Sequence, residues 1–388
     1  MIASPDVEPR RVDLATEDGR LWEATTNGQA FRGSLEDAVA EALLTVDPAA
    51  PGNFILHVEH LRLSTADEFL HLIQVAGDPS RLELVECQLR LDLSPEFLAQ
   101  PLAKYEAEHQ CRPPWWDSPS RVAHLIDITM LRCEVNWSTL NGVIFTGARL
   151  TGSVFGRTDL REARFIGSDL RDAAFWNANL THADFHQADL SGASFWGARL
   201  DHTAMTRSQF HRGVGEELEA GAQNDPSLFR QASDVYLLLK NNFNSIGRYE
   251  DAAWAYIKEQ QMEKMAHYWE WRARGWRFWR GRGSFWRWLR SWTYEVLTGY
   301  GERPLNPLIA GGLTMLAFCL AYFVTGAIGS FWDSLIYSFG TFATFNLADP
   351  GMQPHGRIMN LASSLEALLG ILVLALFVFT LGNRMSRS

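Results

Sequence analysis

Two stretches of this 388-residue chain are almost without charge, and that absence organises the rest of it. From about Leu305 to Gly329 there are 25 residues with no Asp, Glu, Lys or Arg, and from about Ile358 to Gly382 there is one, Glu366. At ~1.5 Å of rise per residue each stretch can cross about 30 Å of hydrocarbon. A core helix of a soluble protein rarely runs so long without an amphipathic face. Cysteine is scarce too: Cys87, Cys111, Cys133 and Cys319 fit neither a metal-ligand spacing nor a disulfide framework. No phosphate-binding glycine loop, nucleophile with a base or cluster of metal ligands is present, so no enzyme and no cofactor is expected. Met1 to Arg11 hold charges and prolines where a cleavable leader would have its apolar core, so none is expected.

Charge of the opposite balance lies on either side of one boundary. Residues 1–263 carry net −16 and residues 264–388 net +6, an acidic soluble part followed by a basic membrane part. Arg287, Arg290 and Arg303 precede the first apolar stretch and Arg384 and Arg387 follow the second, whereas the segment between them holds only Arg357. Positive flanks mark the cytoplasmic side, which puts both termini in the cytoplasm.

Between about Val135 and Phe210 an apolar residue recurs at every fifth position, with strict alternation of leucine and phenylalanine from Leu140 through Phe145 and Leu150 to Leu200. Two positions earlier sits a small residue, as at Ala163, Ser168, Ala173 and Ala178. A period of five fits neither helix nor strand, so this is a repeat architecture. It resembles the pentapeptide-repeat family, which implies a right-handed quadrilateral β-solenoid over residues 121–212. Four units per coil would place phenylalanine on two opposite sides and leucine on the other two, giving interior ladders of one residue type. Some members of that family mimic DNA, which needs a strongly acidic rod. Residues 136–205 hold seven acidic side chains against six arginines, so mimicry is not expected.

Residues 1–120 read as an acidic α/β region, with helical patterns at Leu35–Leu44 and Ala66–Val75 and alternating runs at Phe54–Leu63 and Leu82–Leu93. Pro113, Pro114 and Pro119 break the chain before the repeats. After them, 213–225 reads as a linker. Helices at about 227–242 and 249–267 follow, joined at Gly247, within a 213–265 unit that resembles one tetratricopeptide-type hairpin. A coupling element and a plain structural cap are equally good readings of it.

Residues 266–300 interleave seven tryptophans with seven arginines, among them Trp276, Trp279, Trp286, Arg287, Trp288 and Arg290. Such a mixture can stack on single-stranded nucleic acid. Placed a dozen residues before an apolar span it fits the headgroup layer better, so a bilayer-interface helix is expected and no nucleic acid.

Residues 301–388 follow the order apolar span, short helix, loop, apolar span. Ser330 is a good helix N-cap with Asp333 in capping-box position, and the helix from Phe331 to about Ala343 is too short to cross a bilayer. The loop after it reads Thr341-Phe342-Ala343-Thr344-Phe345-Asn346-Leu347-Ala348-Asp349. This layout resembles the two-transmembrane potassium-channel family, whose motif T-x-T-T-V-G-Y-G-D ends the pore helix. The resemblance implies a homotetramer with a filter at Thr344, Phe345, Asn346, Leu347 and Ala348, a pore mouth at Asp349, an inner-helix hinge at Gly370 and bound monovalent cations. Ser338, Thr341 and Glu366 are read as supports behind the filter. Glu366 has a second reading, a side chain snorkelling to the outer interface.

The departure from that motif is at Asn346-Leu347-Ala348, where the family has Gly-Tyr-Gly. Glycine there permits the left-handed backbone that aims four successive carbonyls at the axis, and leucine and alanine resist it. The expectation is a cation channel of the bacterial inner membrane that passes sodium at least as well as potassium, opened or closed by its cytoplasmic part. The rival is a membrane-anchored repeat scaffold that binds a protein partner and conducts nothing. No recognisable motif identifies a gating ligand.

Overall fold

A corner every five residues is what the repeat builds in the computed structural model, which describes residues 10–16, 22–26, 29–33, 54–59, 62–63, 66–76, 78–109, 112–113, 116–117, 122–273, 282–343 and 357–385. Each residue ahead of an interior Leu or Phe bridges in parallel to the residue twenty positions on, as Val154 does to Ala174 and Ala174 to Ser194. Four five-residue sides therefore make one coil. The amide of Phe155 donates to the Ala174 carbonyl at 2.7 Å, and that of Phe175 to Ser194 at 2.8 Å.

Inside, the ladders are of one type each. Phe145, Phe165 and Phe185 stack with ring centres 5.0 Å apart, Phe155, Phe175 and Phe195 at 5.3 Å, and the two columns meet edge to face at 5.9–6.2 Å. Both arrangements suit the ring quadrupole. The leucines and small residues of the other positions are buried with them. Corners carry a conformational cost: the second corner residue has positive φ, held by Gly152 and Gly167 but also by Arg157, Glu162 and Gln187.

Two compact units divide the chain at Met262 and Glu263. In the first, the strands are β1 Arg10–Thr16, β2 Trp22–Thr26, β3 Gln29–Gly33, β4 Phe54–Glu59, β5 Arg62–Leu63, β6 Leu82–Val85, β7 Gln88–Leu89, β8 Trp116–Asp117, β9 Val122–Ala123 and β10 Thr129–Leu131. Six of them form a mixed sheet in the order β10-β6-β4-β1-β2-β3, while β5 pairs with β7 and β8 with β9. Strands β10, β6, β4 and β1 are parallel, and helix α1 (Ala66–Ala76) packs on β4 and β6, with Phe69, Leu72 and Ile73 fully buried. The helix expected at Leu35–Leu44 lies outside the described residues.

The sheet does not stop where the repeats start. Leu89 N donates to Glu134 O at 2.7 Å and Leu93 N to Thr139 O at 2.8 Å, and Thr129 of β10 bridges Arg149. Residues 82–93 are thus the base on which the repeats stack, and the boundary expected at 120/121 is crossed by backbone pairing. Along the sequence, helix α2 (Pro95–His109) lies between that base and the first coil.

At the other end, the segment expected to be a linker holds helix α3 (Gly215–Gln223), closed by Asn224 in left-handed conformation. Helices α4 (Pro226–Ser245) and α5 (Tyr249–Ala273) follow, with Asp225 capping the first of them through Ser227 N at 2.8 Å. Ser233 Oγ donates to Glu259 O at 3.2 Å and Lys240 pairs with Glu259 at 2.7 Å, which ties the two helices into a hairpin.

The second unit is helical. After α6 (Arg282–Thr298) come α7 (Leu305–Val324), α8 (Phe331–Phe342) and α9 (Arg357–Met385). Helix α7 ends five residues before the apolar run does, because Thr325 turns its hydroxyl onto Ala321 O and Gly326 takes a positive φ. Ser330 does cap α8 by its extended backbone, but its side chain makes no cap bond, and the expected capping box is absent; Ser334 instead returns N and Oγ to Ser330 O at 2.9 Å.

Candidate functional site

Helix α8 is too short to span and too apolar to lie in water, so everything depends on how α7 and α9 hold it. Ser334 and Ser338, one turn apart on its inner face, are fully buried. Ser338 Oγ donates to Glu366 Oε1, and the hydroxyl of Tyr322 donates to Glu366 Oε2 at 2.8 Å. The carboxyl group of α9 thus gathers one hydroxyl from α7 and one from α8. Glu366 is wholly buried, and each of its oxygens has a donor, which is what a buried carboxyl group needs. Ser338 Oγ also lies 2.9 Å from Met315 O of α7, a second acceptor for the same hydroxyl.

Tyr322 is the member that sequence reasoning missed. Its ring stands edge to face on Tyr337 at 5.5 Å, and with Ile328 the pair forms the small core where α7, α8 and α9 meet. An aromatic inside an apolar run carries no mark of a hydrogen-bonding role. Its position opposite Glu366 is visible only in three dimensions.

A second contact fixes the far end of α8. Gly370 of α9 lies against the backbone of Phe342, so close that a Cβ there would fall on the Phe342 carbonyl oxygen. Across from it, Gly311 of α7 faces the Phe342 ring and Val373. Two glycines on two helices therefore form the slot that receives the last turn of α8. Gly370 acts here as a site of close approach, a requirement distinct from the hinge implied by the family resemblance.

Thr341 stands in that last turn, half-buried. The residues expected to form the filter and mouth, Thr344, Phe345, Asn346, Leu347, Ala348 and Asp349, lie outside the described residues, as do Trp276 and Trp279. Of the interface residues, Trp286, Arg287 and Arg290 of α6 are exposed, and Trp288 is half-buried and stacked on Trp271 at 6.1 Å. No group of three or more potential metal ligands occurs among the described residues.

The surface around this site is apolar. Leu305–Val324 and Ile358–Gly382 are long and apolar enough to cross a membrane. Leu313 is 64% exposed, Leu374 63% and Val378 60%, values that a soluble core helix does not show.

In the first unit, the repeat stack is closed by side chains. Phe195 N and Trp196 N donate to Glu216 Oε1 at 2.9 and 2.8 Å, and Ser194 Oγ donates to it at 2.5 Å. In the coil below, Phe175 N gives its hydrogen bond to a carbonyl of the next coil. The carboxylate of Glu216 stands where that carbonyl would be. Asn242 does the same from α4, accepting from Thr203 N and donating to Thr203 O, both at 2.9 Å. Burial holds the Glu216 carboxyl above the usual carboxylate range, opposed by its three donors. Burial and the neighbouring Glu217 carboxylate raise Tyr236, which donates to Glu217.

Comparison with known proteins supports the repeat directly. The family described as "Pentapeptide repeat region" matches residues 138–212. Among solved structures, the pentapeptide repeat protein Rfr23 from the cyanobacterium Cyanothece 51142 is 20% identical, over 38% of this chain and 97% of that one, with a TM-score of 0.18. A pentapeptide repeat protein of the Arabidopsis thaliana thylakoid lumen is 21% identical over 22% of this chain and 64% of its own, with a TM-score of 0.13. QnrB1, a plasmid-mediated fluoroquinolone resistance protein, is 16% identical over 39% and 66%, with a TM-score of 0.14. No curated protein matches the chain. The chain therefore carries a pentapeptide repeat region followed by a helical region with two helices able to cross a membrane.

Proposed function

We propose that the chain forms a homotetrameric cation channel of the bacterial inner membrane, with both termini cytoplasmic and no enzymatic activity. Its pentapeptide repeats form a right-handed quadrilateral solenoid that belongs, with the α/β region and hairpin, to the cytoplasmic machinery controlling the pore. The observation that carries this reading is the seating of α8. A half-length helix between two spans is held by the Glu366 clasp at its middle and by Gly311 and Gly370 at its end. A plain membrane anchor has no use for such a helix.

One subunit alone would leave the end of α8 and the loop after it facing lipid with unsatisfied backbone, a cost that four copies around an axis remove. The C-terminal carbonyls of α8 then point a negative dipole end at the axis and favour a cation there. The carbonyls of Thr344 and Phe345 and the side chain of Asn346 supply the remaining oxygen rings. Without Gly-Tyr-Gly the filter is short and keeps the ion partly hydrated, so sodium passes at least as well as potassium. Asp349 at the mouth concentrates cations without choosing among them. The channel needs no cofactor beyond its permeant ions.

Reconstitution in liposomes with bi-ionic sodium and potassium tests this. Conductance with a reversal potential near zero or shifted toward sodium is expected. Strong potassium selectivity would sink the filter reading, and a monomer or dimer by mass in mild detergent would sink the channel. Restoring Gly-Tyr-Gly at 346–348 should move the permeability ratio toward potassium.

One observation favours a second reading, a membrane-anchored scaffold. Trp137, Trp176 and Trp196 are all exposed, and the twenty-residue coil puts them at one corner of the repeat stack, with Arg157 over the Trp137 ring at 4.5 Å. Exposed tryptophan beside arginine is the composition of a protein-binding patch. A membrane-inserted protein that captures a partner through these tryptophans and passes no ions would favour it.

A further inference from the structure

The α6 helix repeats a pattern at helical spacing: Trp286, Leu289 and Arg290, Thr293 and Tyr294, Leu297. This face and Leu376 of α9 enclose a cleft of about 400 Å³. That volume falls in the range of about 300–1,000 Å³ occupied by ligand sites. Its walls are carbon, from Leu289, Tyr294, Leu297 and Leu376, while Arg290 and Trp286 stand exposed at its edge. Arg290 has no ion-pair partner among the described residues, and the one acid of its helix, Glu295, is taken up by Lys264. Leu376 lies six residues before the end of the second apolar stretch at Gly382, roughly 9 Å along the helix. The cleft therefore sits where acyl chains begin, with a cation at the level of the phosphates.

We propose that this cleft binds one acyl chain of an anionic phospholipid, with Arg290 pairing the headgroup phosphate and Trp286 packing at the boundary between headgroup and chain. The occupant is identified by charge: a zwitterionic lipid offers the same chain but also a cation against Arg290 and Arg287. The proposal rests on the membrane reading of the two spans and not on conduction.

The full-length protein in mild detergent is incubated with equal amounts of phosphatidylglycerol and phosphatidylcholine, washed, and its retained lipid counted by native mass spectrometry. Wild type should keep phosphatidylglycerol over phosphatidylcholine. Arg290→Gln should lower phosphatidylglycerol retention about fivefold, the weight of one basic residue near an anionic surface, with Arg290→Lys restoring most of it. Leu376→Trp, which fills the cleft, should lower retention of both lipids. Equal retention of the two lipids by wild type overturns the proposal. So does wild-type retention in both Arg290→Gln and Leu376→Trp. A Leu376→Trp protein that falls to a smaller assembly with lipid retention unchanged would assign the cleft to a second copy of the chain. Release of the chain from membranes by alkaline carbonate would instead defeat the membrane reading itself, a failure distinct from the others.

Discussion

Replacing Glu366 by leucine and Tyr322 by phenylalanine, singly and together, tests the clasp in a way that separates bonding from packing. In Glu366→Leu both hydroxyls lose the carboxyl oxygen they donate to. Ser338 still has Met315 O at 2.9 Å, so its loss is largely made good, whereas Tyr322 is left with a buried hydroxyl and no carboxyl. An unsatisfied buried polar group costs about 1–3 kcal/mol, but removal of both partners is close to neutral. Pairwise couplings within membrane interiors average about 0.6 kcal/mol and reach about 1.7. With a 2.8 Å contact and a fully buried carboxyl, the Tyr322–Glu366 coupling should fall at the upper end, about 1–2 kcal/mol. Melting of the assembly in mild detergent gives the four stabilities, and cation flux from liposomes reports whether α8 remains seated. The double variant should be more stable than the sum of the single losses requires. Additive losses would show that the two side chains do not bond, and the account of how α8 is held would then fail.

Three other outcomes follow from the same structure. Gly370→Ala should lower melting by the about 1–3 kcal/mol typical of overpacking and reduce flux, because the new Cβ meets backbone that cannot rotate away, whereas Gly382→Ala, with open space around it, should do neither. Phe175→Ala removes a ring in contact with Phe155, Phe165, Phe185 and Phe195 and should cost about 3–5 kcal/mol by chemical denaturation, while Trp176→Ala next to it should cost little; equal effects would refute the interior ladders. Burial raises the Glu216 carboxyl, so its contribution to stability is fully present below the ordinary carboxylate value of about 4.3 and fades as pH rises through the raised folded value. Glu216→Gln keeps an oxygen for the same donors and does not titrate, so its stability should gain on wild type as pH rises above the ordinary carboxylate value of about 4.3; an unchanging difference would mean that the carboxylate is solvated.

The repeat was legible because its period is written in side-chain type, and the interior columns follow from that period alone. Local signals also served at α1 and at the α4–α5 hairpin, where apolar spacing and Gly247 mark the elements. What escaped was either non-local or written in the wrong residue types. Pairing between residues 82–93 and the first coil spans some 46 positions, as from Gln88 to Glu134, and no local pattern announces it. Helix α3 hides in a Gly, Ala and Glu stretch that reads as a linker, because its purpose is the carboxylate of Glu216 and not an apolar face. Positive φ at Arg157, Glu162 and Gln187 is invisible because the stacked coils, and not the residues, impose it. At the candidate site, Ser338 and Glu366 carried a signal as polar groups in apolar helices, and Tyr322 did not.

The end of the repeat stack bears on what the first unit can do. A pile of parallel coils presents a ladder of open N–H and C=O groups on its last turn, a template on which another chain could add. Here Glu216, Asn242 and Gln209 occupy that ladder: Phe195 and Trp196 are taken by a carboxylate, Thr203 by a carboxamide on both sides, and Thr206 N by Gln209 Oε1 at 2.6 Å. Side chains from a following helix can satisfy a coil edge but cannot extend it, so the stack is finite and cannot grow end to end. At the other end, the parallel strands β6, β4 and β1 continue the ladder into a sheet whose edge is the antiparallel hairpin β2–β3. A partner held on the sides of this unit, where the corner tryptophans stand, would leave the interior ladders and the end closed by Glu216, Asn242 and Gln209 undisturbed.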